Sequence, residues 1–252
     1  MLKTRVMPTL LYRDYGMVKG VSFDSCRHVG SLMQSIKVYN FREVDELVFL
    51  DIKATREGRG PNYNLVDNFA DECFMPLTIG GGIRTIEHVR RLLSVGADKV
   101  SINSCLVEDI SVVAKVASLF GSQCVVASID FKRVGGNDYK VCIHSGNKIV
   151  DLDPVDLARR CEESGAGEIL LTSVDLDGTM EGYELEILKA VSQAVDIPVI
   201  ASGGAGNYEH MYQALIEGGA SAVAAASIFH FTEQTPLEAK HYLKDRGIPT
   251  RV

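Results

Sequence analysis

Short continuous apolar runs alternate with amphipathic stretches from one end of the chain to the other, and most runs end at Gly, Asn or Asp. Arg5 to Leu11 is the first run, closed by the polar Tyr12-Arg13-Asp14-Tyr15-Gly16. Further strand-like runs are Glu46 to Ile52, Cys124 to Phe131, Glu168 to Val174, Ile197 to Ala201 and Ala220 to Ala226. Helical spacing predicts helices over Leu32 to Phe41, Leu65 to Glu72, Glu108 to Phe120, Asp153 to Ser164, Leu185 to Val195, Tyr208 to Glu217 and Pro236 to Arg246. Pro154, near a first turn, costs that helix little. Lys19 to Gly30 reads as a long loop punctuated by Gly20 and Gly30, and Thr55 to Asn64 as a mobile loop. Arg133 to Val150 alternates around Gly-Gly-Asn-Asp, which predicts an inserted hairpin.

One unit occurs twice. Met75 to Cys105 reads apolar strand, three glycines, amphipathic helix, Gly-Ala, second strand. Half a chain later, Pro198 answers Pro76, Gly203 answers Gly81, and Glu209-His210 answers Glu87-His88. Eight strands, each followed by a helix, with a half-chain duplication, predict an α/β fold: a (β/α)8 TIM barrel of two like halves, as one domain over 1–252. The continuous strand runs suit parallel strands covered on both faces. A doubly wound open sheet is the competitor, but it predicts no such symmetric repeat.

Composition narrows the function. Hydrophobic residues make up 46% and charged residues 23% of 252 positions, ordinary for a globular protein. The net charge of −7 gives no general attraction to nucleic acid or to an anionic membrane. No run is long enough to cross a bilayer, and the first residues lack a signal-peptide core, so a cytoplasmic location is expected. Six scattered cysteines without a C-x-x-C pair read as reduced, mostly buried thiols. No His- or Cys-rich cluster suggests a metal, and His88 and His210 are expected on helix surfaces.

In such a barrel the reacting groups gather at the carboxyl ends of the strands. Gly80, Gly81 and Gly82 with Asn103 and Ser104 predict one phosphate cradle. Ser202, Gly203 and Gly204 with Ala226 and Ser227 predict a second across the mouth. Glycines let backbone N–H groups approach an oxyanion closely. Two cradles ask for an elongated small molecule with a phosphate at each end. Between them converge Asp51, Asp130, Asp175 and Asp177, candidates for general acid or base work, with Thr172 and Lys19 beside them. At the opposite face, Arg5, Glu46, Lys99 and Glu168 all lie at strand starts. Two cations and two anions brought together there must pair, either as a plug or as a ring around an opening.

With those residues in view the chain resembles, over nearly its full length, the cyclase subunit of imidazole glycerol phosphate synthase, the HisF family. GGGI at 80–83, DKVSIN at 98–103, GAGEILLTS at 165–173, DGT at 177–179, ASGGAG at 201–206 and FHF at 229–231 carry the likeness. The resemblance implies a ribulosyl phosphate ligand and no cofactor. It implies ammonia delivered by a HisH-type glutaminase docked beneath the barrel, with Asp98 at that interface and Arg5, Glu46, Lys99 and Glu168 as the gate. It also implies two acid/base aspartates. Asp130 matches one. The other is expected where this chain has Leu11, in Pro8-Thr9-Leu10-Leu11. Leucine carries no proton, and losing a positioned acid/base typically costs about 10²–10⁴ in rate. Three readings follow: a paralogue passing ammonia to a third protein, resembling partners of sugar amidotransferases that make acetamidino sugars of surface polysaccharides; an ordinary synthase with a substitute carboxylate; or a scaffold that only activates the glutaminase.

Overall fold

A computed structural model of the chain describes residues 3–14 and 16–252. Tyr15, within the first predicted turn, lies outside the described residues. The chain runs β1 (Arg5–Arg13), β2 (Gly16–Val21), β3 (Asp24–Gly30), α1 (Leu32–Phe41), β4 (Leu47–Asp51), α2 (Tyr63–Ala70), β5 (Leu77–Gly80), α3 (Ile86–Ser94) and β6 (Lys99–Ile102). It continues α4 (Cys105–Glu108), α5 (Ser111–Phe120), β7 (Val125–Gly135), β8 (Asp138–Ile143), β9 (Lys148–Ile149), α6 (Pro154–Glu163), β10 (Glu168–Ser173) and α7 (Leu185–Ala194). Last come β11 (Val199–Ser202), α8 (Tyr208–Ile216), β12 (Ala222–Ala225), α9 (Ser227–Phe231) and α10 (Pro236–Asp245).

Eight strands pair in parallel in the order β1, β4, β5, β6, β7, β10, β11, β12, and β12 pairs with β1 to close the circle. This is the expected (β/α)8 barrel. Closure leaves the barrel strands no free edge. Apolar side chains divide into two sets. The larger lies between the strands and the surrounding helices. The smaller, Met7, Val48, Val126, Leu170, Ile200, Ala222 and Ala224, fills the barrel interior. Burial of a Leu, Ile or Val side chain contributes about 1.5–3 kcal/mol, so both sets stabilise the cylinder.

Local chemistry sets the helix starts. Thr85, Asn207, Asn62 and Asp153 each cap a helix by accepting a backbone N–H, and Thr235 with Glu238 forms a capping box before α10. α10 is fastened to the segment before β4 by the buried Lys240, whose ammonium lies 3.6 Å from Asp45 and donates to the Glu43 carbonyl at 2.9 Å.

The loop expected over Lys19 to Gly30 is instead the β2–β3 hairpin. β1 overruns the rim to Arg13, and β2 pairs antiparallel with it, Leu11 opposite Val18. The ladder hydrogen bonds override the loop-like composition, and Gly20 is what permits the tight approach: a Cβ there would lie 2.0 Å from the Asp24 carbonyl oxygen. The expected helix over Glu108 to Phe120 is split into α4 and α5, because Asp109 leaves the helical conformation at the end of α4 and its carboxylate accepts the Ser111 N–H where α5 begins. The inserted hairpin after β7 is present, with β9 added to it.

Candidate functional site

Period-two alternation decides which side chains face the barrel interior. On β1 these are Arg5, Met7, Thr9 and Leu11; on β7 they are Val126, Ser128 and Asp130; on β10 they are Glu168, Leu170 and Thr172. Reading upward, the interior is therefore a charged floor, an apolar layer, a layer rich in hydroxyls, and an acidic mouth.

At the floor the four predicted charges meet. Arg5 reaches Glu46 at 2.6 Å and Glu168 at 2.8 Å, and Lys99 reaches Glu46 at 2.9 Å and Glu168 at 3.0 Å. Each cation thus touches both carboxylates, and Thr78 donates to Glu46 at 2.7 Å. Asp98, beside Lys99, is exposed and accepts the Leu77 N–H at 2.8 Å.

At the other end opens a cavity of ≈ 330 Å³. Lys19, Asp51, Gly81, Asn103, Ser104, Asp130, Thr172, Asp177, Ser202, Gly203, Gly204, Ala226 and Ser227 all line it. Gly82 does not; its N–H is turned to the Thr55 hydroxyl at 3.3 Å. Asp175 is a correction too: it is exposed and accepts the Arg133 N–H at 2.9 Å, fixing the inserted hairpin rather than facing the cavity.

The two glycine turns are built alike. Gly81 has φ 112° and lies so close to the end of β4 that a Cβ would sit 2.4 Å from the Asp51 carbonyl oxygen. Gly203 has φ 85°, and its Cβ would sit 2.5 Å from that of Ser173. Any side chain at either place is strained and pushed into backbone. His88 and His210 repeat as well. Each accepts through Nδ1 a backbone N–H from four residues earlier, Arg84 at 3.3 Å and Gly206 at 3.2 Å. Both are half-buried and pin the glycine turn before their helix, where helix-surface positions were expected.

Asp130 is buried, and burial above all, with the nearby Asp177 charge, pushes its carboxyl up to about 7, against the opposing donation from Asn103 at 3.0 Å. A carboxyl titrating near neutrality both takes and gives a proton under ordinary conditions. Asp177 is itself held by Lys19 at 2.5 Å. β1 and β7 stand four strands apart in the circle, so Leu11 faces Asp130 from the opposite wall. Asp51 is less free than expected: Arg59 grips both carboxylate oxygens, at 2.8 and 3.1 Å, and the Lys53 and Ala54 N–H groups donate to one of them. Ser104 is committed as well, donating to Asn103 and accepting the His144 N–H.

The hairpins roof the cavity. Phe23, Asp24, Ser25 and Cys26 line it from the β2–β3 turn, which is fastened by the Ser22 N–H to the Asp177 carbonyl at 2.7 Å. Ser145, from the inserted hairpin, donates to the Ile52 carbonyl at 2.8 Å. Sequence reasoning missed Arg13, Arg56 and Thr9 as lining residues. The period-two count along β1 from Leu11 finds Thr9 below and, because β1 overruns the rim, Arg13 above; nothing in the sequence pointed to Arg56.

Among the described residues, no group of three or more His, Cys, Asp or Glu could hold a metal, and no helix is long and apolar enough to cross a membrane. Cys105, Cys124, Cys142 and Cys161 are buried, and burial pushes these thiols up, which makes them poor nucleophiles. A sequence model of the family described as "Histidine biosynthesis protein" matches residues 5–235.

Proposed function

Given that this chain belongs to the histidine biosynthesis protein family, we propose that it is a HisF-type synthase subunit that has given up ring closure and hands ammonia onward. In this reading a HisH-type glutaminase docks beneath the barrel, at Asp98 and the floor ring. Ammonia enters between Arg5, Glu46, Lys99 and Glu168 and rises to the mouth. Gly81, Asn103 and Ser104 on one side, and Ser202, Gly203, Gly204, Ala226 and Ser227 on the other, form the two phosphate cradles for a phosphorylated small molecule. A third protein, a sugar amidotransferase making an acetamidino sugar in the cytoplasm, takes the ammonia.

The observation that carries this reading is Leu11 opposite Asp130. Ring closure needs one group to accept a proton while another donates. Asp130, poised near neutrality, serves as one such group. The position that faces it carries an isobutyl group in place of a carboxyl. The test is turnover of the histidine-pathway ribulosyl phosphate by the purified chain with ammonium salt as nitrogen source. No turnover above background is expected. Normal ammonia-dependent turnover sinks the proposal.

A second reading has one observation in its favour. Asp177 is close enough to Asp130 to raise its pKa, so the two could share the acid and base roles in an ordinary synthase. The bond from Lys19 to Asp177 weighs against it, because that carboxylate is already committed to a buried ammonium at 2.5 Å.

A further inference from the structure

Four cations line the mouth cavity: Arg13, Lys19, Lys53 and Arg56. Three of them are answered by carboxylates. Lys19 is held by Asp177, Arg13 lies 3.4 Å from Asp14, and Lys53 reaches Asp14 at 2.7 Å and Glu57 at 3.6 Å. Arg56 has no side-chain partner among the described residues. The carboxylates close to it along the chain are taken: Asp51 by Arg59, and Glu57 by Arg59 and Lys53. A free guanidinium is ordinary on an open surface. This one stands at the wall of a cavity.

Its place is set by the loop after β4. Thr55 accepts the Gly82 N–H through its hydroxyl at 3.3 Å and the Arg84 guanidinium through its carbonyl at 3.2 Å. A Cβ on Gly82 would lie 2.6 Å from the Arg59 carbonyl oxygen and 3.0 Å from the Ala54 Cβ, so the loop on either side of Arg56 is pressed against the first glycine turn. The second turn is out of its neighbourhood, because β5, which leads into Gly81, and β11, which leads into Gly203, stand four strands apart in the circle.

The first cradle is short of donors. Asn103 gives its amide to the Ser128 carbonyl and to Asp130, each at 3.0 Å, and Ser104 gives its hydroxyl to Asn103. An anion seated there meets the backbone of the Gly81 turn and then, further out, the exposed Arg56. A guanidinium binds two oxygens of a phosphoryl group at once. Its outward position fits a second phosphoryl group joined to the one against Gly81.

We propose that Arg56 extends the first cradle into a diphosphate site, so that the mouth takes a small molecule carrying a diphosphate at its β5 end. This rests on the phosphate cradles given under Proposed function, and not on the route taken by ammonia. Arg56 sets specificity and takes no part in proton transfer.

The experiment titrates the ¹⁵N-labelled full chain with sodium phosphate and with sodium pyrophosphate at equal ionic strength, following the Gly81 and Gly203 amide signals. Saturable shifts at Gly81 are expected with both anions. Arg56→Ala should weaken pyrophosphate binding at Gly81 by about five- to tenfold, between the worth of an exposed ion pair and that of a charge-assisted hydrogen bond. Phosphate binding at Gly81, and either anion at Gly203, should be left as in the wild type. Arg56→Lys, a point charge without the fork, should lose less. Arg159→Ala removes the same charge from the outer surface of α6 and should lose nothing. Unchanged pyrophosphate binding by Arg56→Ala overturns the proposal. So does an equal loss for both anions, which would give Arg56 to a single phosphate, or an equal loss in Arg159→Ala, which would reduce the effect to overall charge. These three outcomes leave the cradle standing, whereas no shift at Gly81 with either anion removes the cradle and the diphosphate site together.

Discussion

The two ends of the barrel solve opposite problems with the same kinds of residue. The floor gathers two cations and two carboxylates in one alternating ring, every charge meeting two of the other sign. The mouth gathers Asp130 and Asp177 with one buried ammonium, Lys19, that touches only Asp177. The floor is electrically complete. The mouth leaves Asp130 near its titration point and, among the described residues, leaves the hydroxyls of Thr9 and Ser227 without partners. A compensated cluster stabilises and specifies; an uncompensated one, kept in a cavity, is where ligands and protons are handled.

Four changes would break or sharpen this contrast. The largest concerns Leu11. Leu11→Asp sets a second carboxyl opposite Asp130 and is expected to raise ammonia-dependent turnover of the ribulosyl phosphate by about 10²–10⁴. Steady-state kinetics check this, and an unchanged rate would favour the Asp130–Asp177 reading.

Next comes the floor. Glu46→Ala leaves Arg5 and Lys99 sharing Glu168 alone and strips Thr78 of its acceptor. Breaking a buried ion network by removing one member costs about 3–5 kcal/mol. A lowered urea midpoint should show it, and no change would mean the ring contributes nothing to the fold.

The third change is Asp130→Asn. The folded carboxyl titrates at about 7, against roughly 3.9 in an unfolded chain. Between those values the folded state holds more protons than the unfolded one, so this group lowers stability as pH rises through the window. Asparagine carries no such penalty. The variant is expected to exceed the wild type by about 2–4 kcal/mol above pH ~7, and the gain should fade toward pH ~4. Denaturant unfolding at both pH values decides the matter. An advantage independent of pH would show that Asp130 is not held protonated by the fold.

The smallest effect lies at the rim of the mouth. Arg59→Ala frees the Asp51 carboxylate, which still accepts from the Lys53 and Ala54 N–H groups. Arg59 is 39% exposed, so solvent screens the pair and about 1 kcal/mol is the expected loss. Calorimetry would register it, and a loss of several kcal/mol would make Arg59 part of the core of the fold.

Much of this was readable beforehand, for reasons visible in particular residues. Gly81 and Gly203 announced themselves because only glycine fits a positive φ against a neighbouring strand. The ring could be anticipated because Arg5, Glu46, Lys99 and Glu168 occupy equivalent starts of parallel strands, and the period of a strand fixes which way they point. The β2–β3 hairpin could not, because its ladder depends on β1 overrunning the rim. Nor could the grip of Arg59 on Asp51, the diversion of Asp175 to Arg133, or the turning of Gly82 to Thr55. Loop side chains have no period, so spacing says nothing of where they point.

The order of apolar runs, the half-chain repeat and the charges at strand starts by themselves determined a closed parallel barrel and its charged floor, and the sequence sets a leucine at position 11. These are properties of spacing and residue type, and they survive any detail of packing. Only the tertiary structure decided that burial pushes Asp130 up to about 7 and that the Thr9 hydroxyl finds no partner among the described residues. Both depend on how completely water is excluded and on which groups from distant strands arrive nearby, and the chain encodes neither locally.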